Sequence, residues 1–379
     1  MLIMNESRTT GTSLALTVSL VDQQFAKTKT MGILNVSLGL CRILARSPGV
    51  GRLTLFTNAS LPRIGQPVSG RVAVVEFKAP ERFRRVWWDQ FGVYRAARRA
   101  GNEWLLLPKG YPPFLRRCPV KLATYVHDAM LEYYREHYPR GFPRFESFYF
   151  HAGMRAAIAR SQVILANTEF TASEIRRVAD RYGLKTPPIK VAGIGFERPL
   201  QTPPQPRLRI LVLASQWPHK RTDLALQYVS RWQEQRRFAG SVDWVGRLPA
   251  ELTLPRIPNW HLHSRLAPDD WSRLLSEAQA LIYFSDYEGF GMPPVEAALA
   301  GVCPVFSDLP VTREVMQGAG CCFANDRYEA FAAALDEALR TPEQRVKHWA
   351  DQLLARHHWT AVAERVIQAL TSGGSRGNS

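Results

Sequence analysis

The stretch Ala280–Gly301, ALIYFSDYEGFGMPPVEAALAG, joins a short apolar run to a helix-forming run through a glycine-rich turn. The run ALIYFS predicts a buried strand because it is short, apolar and rich in branched and aromatic residues. Gly289 and Gly291 permit backbone conformations that other residues avoid, and the Pro-Pro pair suits the start of a helix that Gly301 would end. The stretch therefore predicts one strand–turn–helix unit of a parallel sheet.

The same alternation of strands and helices continues over most of the chain. It predicts an α/β protein with two doubly wound, Rossmann-like domains that face each other across a cleft. The segment ERPLQTPPQPRL, residues 197–208, carries four prolines and predicts a linker. We place the first domain at residues 1–199 and the second at 200–355, followed by a closing helix at 356–371 and a disordered tail at 372–379.

The net charge of +16 lies entirely in the first half of the chain. Residues 1–200 contain 30 Lys and Arg against 14 Asp and Glu, whereas residues 201–379 contain 19 of each group. A basic half indicates an anionic partner, such as a phosphate-bearing substrate, a membrane surface or nucleic acid. No helix-turn-helix, zinc-finger or RNA-recognition pattern appears, so we predict no nucleic-acid partner.

Three further features predict a cytoplasmic location. No apolar run approaches the roughly 20 residues that cross a bilayer. The start of the chain lacks the pattern of a signal peptide. The five cysteines show neither metal-ligand spacing nor a disulfide framework, which favours a reducing compartment.

Two glutamates flank the glycine-rich turn. Free backbone amides at the start of the predicted helix would form a site for an anion such as a phosphate. Glu296 lies in the predicted first turn, where the helix dipole favours a carboxylate, so a purely structural role stays open for it. Glu288 lies next to this anion site, where a carboxylate is favourable only if it accepts hydrogen bonds from ligand hydroxyls. The arrangement favours a ligand with both hydroxyls and phosphates, such as a nucleotide sugar.

The segment YFSDYEGFGMPPVEAALAGVCPVFSD, residues 283–308, resembles the E-x7-E region of retaining glycosyltransferases of family 4. Further resemblances extend over most of the chain, at ASQWPHKRTDLAL, YVHDAM, ILANTEFTASEI and HHWTAVAERVIQAL. The family has the GT-B fold, two Rossmann-like domains whose terminal helix crosses back to the first domain. The resemblance implies that the second domain binds the nucleotide sugar and the first binds the acceptor.

The resemblance also implies roles for individual residues. Glu296 would bind the ribose hydroxyls, Glu288 would lie against the donor sugar, and Lys220 would neutralise the leaving diphosphate. His127 would contact the donor from the opposite domain. The remaining donor contacts would come from backbone amides in the turn, from the first glycine loop and from one arginine: Gly289, Phe290, Gly291, Gly32 and Arg221. The family's second diphosphate cation has no counterpart beside Lys220, and His219, Arg221 and Arg247 are the candidates.

We predict a retaining hexosyltransferase that uses a nucleotide sugar, with GDP-mannose favoured, and a lipid-linked or polysaccharide acceptor. A fixed cation and a helix start can stabilise the leaving diphosphate without a metal, so no cofactor is predicted. Two alternatives stay open. Asp286 and Glu288 could hold a divalent ion as a pair of carboxylates, or the protein could bind nucleotide sugars without catalysis.

The segment Arg82–Ala100, RFRRVWWDQFGVYRAARRA, places aromatic residues at helical spacing among arginines. The aromatic stripe consists of Phe83, Trp87, Phe91 and Tyr94. It can be core, or it can lie on an anionic membrane with the arginines at the headgroups, and the two interpretations are compatible. The second interpretation predicts a peripheral location on the inner face of the membrane.

Overall fold

The computed structural model describes residues 13–23, 31–62, 70–78, 83–139, 141, 143–199 and 208–372. The predicted boundary at residue 200, most of the linker, Arg82 and residues 373–379 of the predicted tail lie outside this part of the chain. Ser372 itself ends the last helix. None of the described helices is both long and apolar enough to cross a bilayer.

The first domain is built on a parallel sheet of seven strands, in the order β3-β2-β1-β4-β5-β6-β7. Its strands are β1 Leu14–Ser19, β2 Val50–Asn58, β3 Val72–Phe77, β4 Trp104–Leu107, β5 Lys121–Val126, β6 Val163–Ala166 and β7 Ile189–Val191. Its helices are α1 Met31–Arg46, α2 Phe83–Trp87, α3 Val93–Ala100, α4 Met130–His137, α5 Arg144–Arg160 and α6 Glu169–Arg181. A π-helical turn, Trp88–Gly92, joins α2 to α3.

The second domain is built on a parallel sheet of six strands, in the order β10-β9-β8-β11-β12-β13. Its strands are β8 Arg209–Ala214, β9 Ser241–Gly246, β10 Trp260–His263, β11 Ala280–Tyr283, β12 Cys303–Ser307 and β13 Cys321–Phe323. The helices that follow are α7 Thr222–Arg236, α8 Pro268–Ser276, α9 Met292–Leu299, α10 Pro310–Met316, α11 Tyr328–Arg340, α12 Glu343–Arg356 and α13 Trp359–Ser372.

Both sheets are doubly wound, as the sequence predicted. Their strand order reverses between β1 and β4 in the first sheet and between β8 and β11 in the second. Helices cover both faces of such sheets, which explains why the central strands are continuous apolar runs and are fully buried. Ligands of doubly wound sheets bind beyond the carboxyl ends of the strands at these two switch points.

Helix α13 leaves the second domain and completes the core of the first. Val362, Ala363 and Val366 are buried against α1 and the first sheet. The ring of Trp359 lies between two glycines of the first domain, Gly39 and Gly195. A Cβ atom at Gly195 would lie 2.2 Å from Cδ2 of Trp359, so a side chain fits there only if the indole moves.

This packing predicts the effect of a single methyl group. Gly195→Ala should lower the free energy of unfolding by about 1–3 kcal/mol, the usual cost of overpacking a well-filled site. Gly70→Ala is the matched control, because no atom of the described residues lies within 4 Å of the added methyl group. Urea unfolding measures both changes, and equal stability of the two variants would contradict the tight contact at Trp359.

Candidate active site

The candidate site lies at the switch point of the second sheet, in the segments that follow β8 and β11. The first segment turns through a single 3-10 turn, Pro218–Lys220. The second runs from Phe284 to Gly291 and starts α9. Their backbones are joined, since the amide of Asp286 donates to the carbonyl of His219 over 2.7 Å. The topology therefore brings together two stretches that are about 70 residues apart in the sequence.

Glu288 and Lys220, two of the predicted site residues, form an ion pair. Tyr283 and Ser285 also donate to the same carboxylate oxygen, Oε1 of Glu288, over 2.6 and 2.7 Å. The ammonium group of Lys220 also lies over the ring of Tyr283, 4.8 Å from its centroid. The second oxygen, Oε2, has no hydrogen-bond partner among the described residues. Glu288 is thus fixed through one oxygen and has the other left to accept a ligand hydroxyl.

The charge of Glu288 is maintained although the residue is only 8% exposed. Burial would raise the pKa of its carboxyl, but the Lys220 ammonium and the donated hydrogen bonds hold that pKa below its ordinary value. Glu288 is therefore a carboxylate at neutral pH. Glu288 is thus a fixed anion, and Lys220 is a cation that could leave Glu288 to bind an anionic ligand.

Glu296 lies on α9, and its position corrects the sequence prediction. The helix begins at Met292, so Glu296 is its fifth residue, and no acidic residue lies in the first turn. The helix-dipole explanation for this carboxylate is therefore wrong. Burial alone raises the pKa of Glu296, and no described side chain donates a hydrogen bond to it. A half-buried carboxylate without a partner is costly unless a ligand provides donors.

The start of α9 has no acidic residue in its first turn. Gly291 precedes the helix in the left-handed conformation, with φ of 80°, and makes no side-chain cap. The ring of Phe290 is buried, and its centroid lies 5.9 Å from that of Phe196 and 5.3 Å from that of His357. These contacts fix the turn to the protein core. Pro293 and Pro294 have no N–H, so the anion site consists of the amides of Met292 and of the preceding turn, together with the positive end of the helix dipole.

The opposite sheet reaches this turn through His127. A Cβ atom at Gly289 would lie 2.0 Å from the carbonyl oxygen of His127, so only glycine permits this approach. Nε2 of His127 lies 2.7 Å from the carbonyl of Pro108 and donates to it, which leaves Nδ1 as an acceptor. Burial lowers the pKa of His127 to about 4, so the ring is neutral at pH 7. His127 can therefore accept a hydrogen bond from a hydroxyl, but it does not act as a cation.

The structure distinguishes among the candidates for a second cation. Burial, together with the Lys220 ammonium, lowers the pKa of His219 to about 4, and its Nδ1 lies 2.7 Å from the Tyr134 hydroxyl. Arg221 is paired with Asp286 over 3.2 Å. Arg247 follows β9 at the same sheet edge, is exposed, and has no ion-pair partner among the described residues.

Asp286 is held by other side chains. Its carboxylate accepts from Arg221 and, over 2.9 Å, from Nδ2 of Asn325. Within the described ranges, no group of three or more His, Cys, Asp and Glu side chains is placed to hold a metal ion. A divalent ion on Asp286 and Glu288 would have to displace both Arg221 and Lys220.

Gly32 is the second residue of α1 in the first domain and faces the second domain. A Cβ atom there would lie 3.3 Å from Cε of Met292, the first residue of α9. The first turns of α1 and α9 thus lie on opposite sides of the same crevice. Gly32 thus lies in a helix, and the donor contact predicted for it stays a prediction.

The sequence did not single out a charged cluster at the edge of the first sheet. Nζ of Lys109, which follows β4, lies 2.6 Å from Asp22 and 3.0 Å from Asp89. Ser19, at the end of β1, is buried and its hydroxyl has no partner in the described part of the chain. Ser19 and Lys109 line one small cavity, and Lys109 and His127 line the next. A hint existed in the sequence, because Asp22 is a charged residue directly after the apolar run LALTVSLV.

Comparisons with known proteins agree with this geometry. Residues 203–352 match the family described as glycosyl transferases group 1. The O-antigen chain mannosyltransferase RfbU of Salmonella typhimurium is 23% identical over 274 residues, which cover 69% of this chain and 73% of RfbU.

Solved structures extend the similarity to both domains. WaaG, a glycosyltransferase involved in lipopolysaccharide biosynthesis, has a TM-score of 0.66 at 13% identity, over 95% of this chain and all of WaaG. Anabaena Alr3699/HepE, solved with UDP and glucose, has a TM-score of 0.65 at 14% identity, over 94% of this chain and all of HepE. The chain has the two-domain GT-B fold with a group 1 glycosyltransferase domain in its second half, and the protein is a glycosyltransferase.

Proposed function

We propose that the protein is a retaining transferase of the family 4 kind that moves a hexose from a nucleoside-diphosphate sugar to a glycan acceptor. The observation that carries the proposal is the ion pair between Lys220 and Glu288 at the switch point of the second sheet. It places an exchangeable cation and a fixed carboxylate beside the backbone amides of the turn that starts α9. The cation of such a pair can bind a diphosphate while the carboxylate binds a sugar hydroxyl.

Departure of the nucleoside diphosphate requires charge stabilisation on its phosphate oxygens. In this proposal the Lys220 ammonium turns from Glu288 toward the diphosphate, and the amides of Gly289, Phe290 and Gly291 bind the phosphate and sugar. Arg221, or Arg247, which has no ion-pair partner among the described residues, supplies the second positive charge. The backbone amides of the turn are held in place before the donor arrives, so little reorganisation beyond that of the cationic side chains opposes the reaction. No metal is needed in this scheme.

The remaining contacts to the nucleotide sugar are assigned to hydrogen-bond acceptors that have no partner among the described residues. The carboxylate of Glu296 accepts no hydrogen bond from a described side chain and would bind the two ribose hydroxyls. Oε2 of Glu288 in the second domain and Nδ1 of His127 in the first would each accept a hydrogen bond from a hydroxyl of the sugar. We favour mannose carried on GDP, because the resembled segment and RfbU both point to mannosyl transfer.

The acceptor would bind to the first domain, at the edge that carries Asp22, Asp89 and Lys109. Two carboxylates compensate the single ammonium there, so this edge suits neutral sugar hydroxyls better than phosphate. We propose a lipid-linked or polysaccharide precursor of the cell envelope as the acceptor, used on the cytoplasmic side of the membrane.

A thermal-shift screen against a panel of nucleotide sugars tests the donor assignment. A true donor stabilises the folded state by mass action, and GDP-mannose should give the largest shift. Retention of the shift in EDTA supports metal-independent binding, whereas a shift that requires added Mn²⁺ would favour a metal on Asp286 and Glu288. A bound donor that is neither transferred to a glycan acceptor nor hydrolysed in its absence would identify a non-catalytic binding protein.

Substitutions of the ion pair separate chemistry from stability. Lys220→Met and Glu288→Gln should each lower turnover by roughly 100-fold, the scale of losing one preorganised contact. Each should also lower the free energy of unfolding by roughly 3 kcal/mol, because a charge is left unpaired in a buried site. The double variant should regain most of the stability and stay inactive. Recovery of activity together with stability would show that the pair is only structural. Steady-state kinetics and urea unfolding measure the two quantities.

Glu296→Gln should raise the KM for the donor by roughly 10-fold, since it removes a charged acceptor from two hydroxyls, and should change kcat less. In the wild type the donor KM should also rise as the pH falls through the raised pKa of Glu296, and this rise should be absent in the variant. Glu329→Gln, an exposed change on α11 of the same domain, is the control. An unchanged KM in the Glu296 variant would remove the ribose role.

A further inference from the structure

The structure divides the aromatic stripe of residues 83–100 into a buried and an exposed part. Tyr94 is 4% exposed and belongs to the core, whereas Trp87 is 51% exposed. The π-helical turn Trp88–Gly92 lies between them and turns Asp89 and Gln90 inward. The side chain of Phe83 lies outside the described residues. The core interpretation therefore holds for Tyr94, and the membrane interpretation stays a prediction for the exposed part.

Two other segments add apolar side chains to the exposed part. Oε1 of Gln90 accepts hydrogen bonds from the amides of Phe114 and Leu115, over 2.9 and 3.1 Å. The Phe114 ring in turn packs against Phe148 of α5, with ring centroids 6.5 Å apart. Leu115 is 60% exposed, Phe145 67% and Phe148 66%. Three segments that are distant in the sequence thus form one outer face.

This face carries four of the eight large apolar side chains that are exposed in the described part of the chain. We define the aromatic–arginine surface as Trp87, Leu115, Phe145 and Phe148 with six of the exposed arginines of the same segments, Arg84, Arg85, Arg95, Arg116, Arg117 and Arg144. Such a concentration on one side of one domain marks an interaction site rather than ordinary surface scatter.

The charge of the surface selects its partner. The guanidinium of Arg95 lies 5.8 Å from the ring centroid of Trp87, and that of Arg116 lies 5.3 Å from Phe91. Among the described residues of these three segments, Glu146 is the exposed acid. Aromatic side chains surrounded by arginines fit a layer that is apolar inside and anionic outside. We propose that the aromatic–arginine surface docks on a bilayer that contains anionic phospholipid, with the four apolar side chains inserted and the arginines at the headgroups.

Docking would also place the acceptor edge of the first domain near the lipid. The hydroxyl of Tyr149, next to Phe148, donates to Asp89 over 3.1 Å, and Asp89 binds Lys109. The surface and the charged cluster are therefore parts of one packed unit. If the proposed lipid-linked acceptor is correct, its sugar reaches the cluster from the membrane side. Only this approach of the acceptor rests on the proposed function.

Co-sedimentation with vesicles tests the proposal without any sugar donor, so its failure is separable from failure of the transferase assignment. Wild-type protein should bind vesicles of phosphatidylcholine mixed with phosphatidylglycerol and should not bind phosphatidylcholine alone. Trp87→Ser with Phe148→Ser should weaken binding by roughly 100-fold, because burying each aromatic contributes about 10-fold. Arg84→Gln with Arg85→Gln should weaken it by roughly 10-fold or more.

Leu208→Ser with Leu262→Ser is the matched control, because these leucines are 65% and 45% exposed on the second domain. This control should bind as the wild type does, and circular dichroism checks the fold of every variant. Absence of binding to anionic vesicles at low salt would overturn the proposal. Equal loss in the control, or binding unaffected by the aromatic changes, would also overturn it. Concentration-dependent dimerisation abolished by the Trp87 and Phe148 changes would assign the surface to a second copy of the chain instead.

Discussion

The close approach of the two sheet edges at Gly289 is the constraint on which the site depends. Its Cα lies against the carbonyl of His127, and its own carbonyl accepts from Thr168 and Thr171 at the start of α6, over 3.0 and 3.1 Å. Any larger residue at this position would push the domains apart. The constraint sets how far His127 lies from the turn that holds Glu288, and therefore how large a sugar can be enclosed.

Electrostatics within this narrow space is balanced by pairing. Lys220 is paired with Glu288 and Arg221 with Asp286, while Lys109 is paired with two aspartates. Two histidines of the crevice, His127 and His219, are kept neutral by burial. Among the described residues of the first half of the chain, the positive charge is thus not concentrated in the crevice. It is found on the outer face of the first domain, where exposed arginines have few acidic neighbours.

Local patterns predicted the elements, and long-range packing decided their details. The stretch Ala280–Gly301 folds as its pattern predicts, with a strand, a left-handed Gly291 and a helix. The place of Glu296 within α9 was mispredicted because the Pro-Pro pair was taken as the helix start, whereas the helix begins at Met292. The contact between Lys220 and Glu288 joins residues 68 positions apart. The exposure of Phe145 and Phe148 depends on which segments cover α5, and no local pattern contains that information.

The position of α13 has a consequence for how the chain reaches its native state. The core of the first domain contains residues of β1, near the beginning of the chain, and of α13, near its end. During synthesis the first sheet can pair its strands, but the groove beside α1 stays open until the last helix has left the ribosome. The amino-terminal half is thus an incomplete folding unit. A nascent chain would expose apolar surface there for the whole time that the second half is being translated.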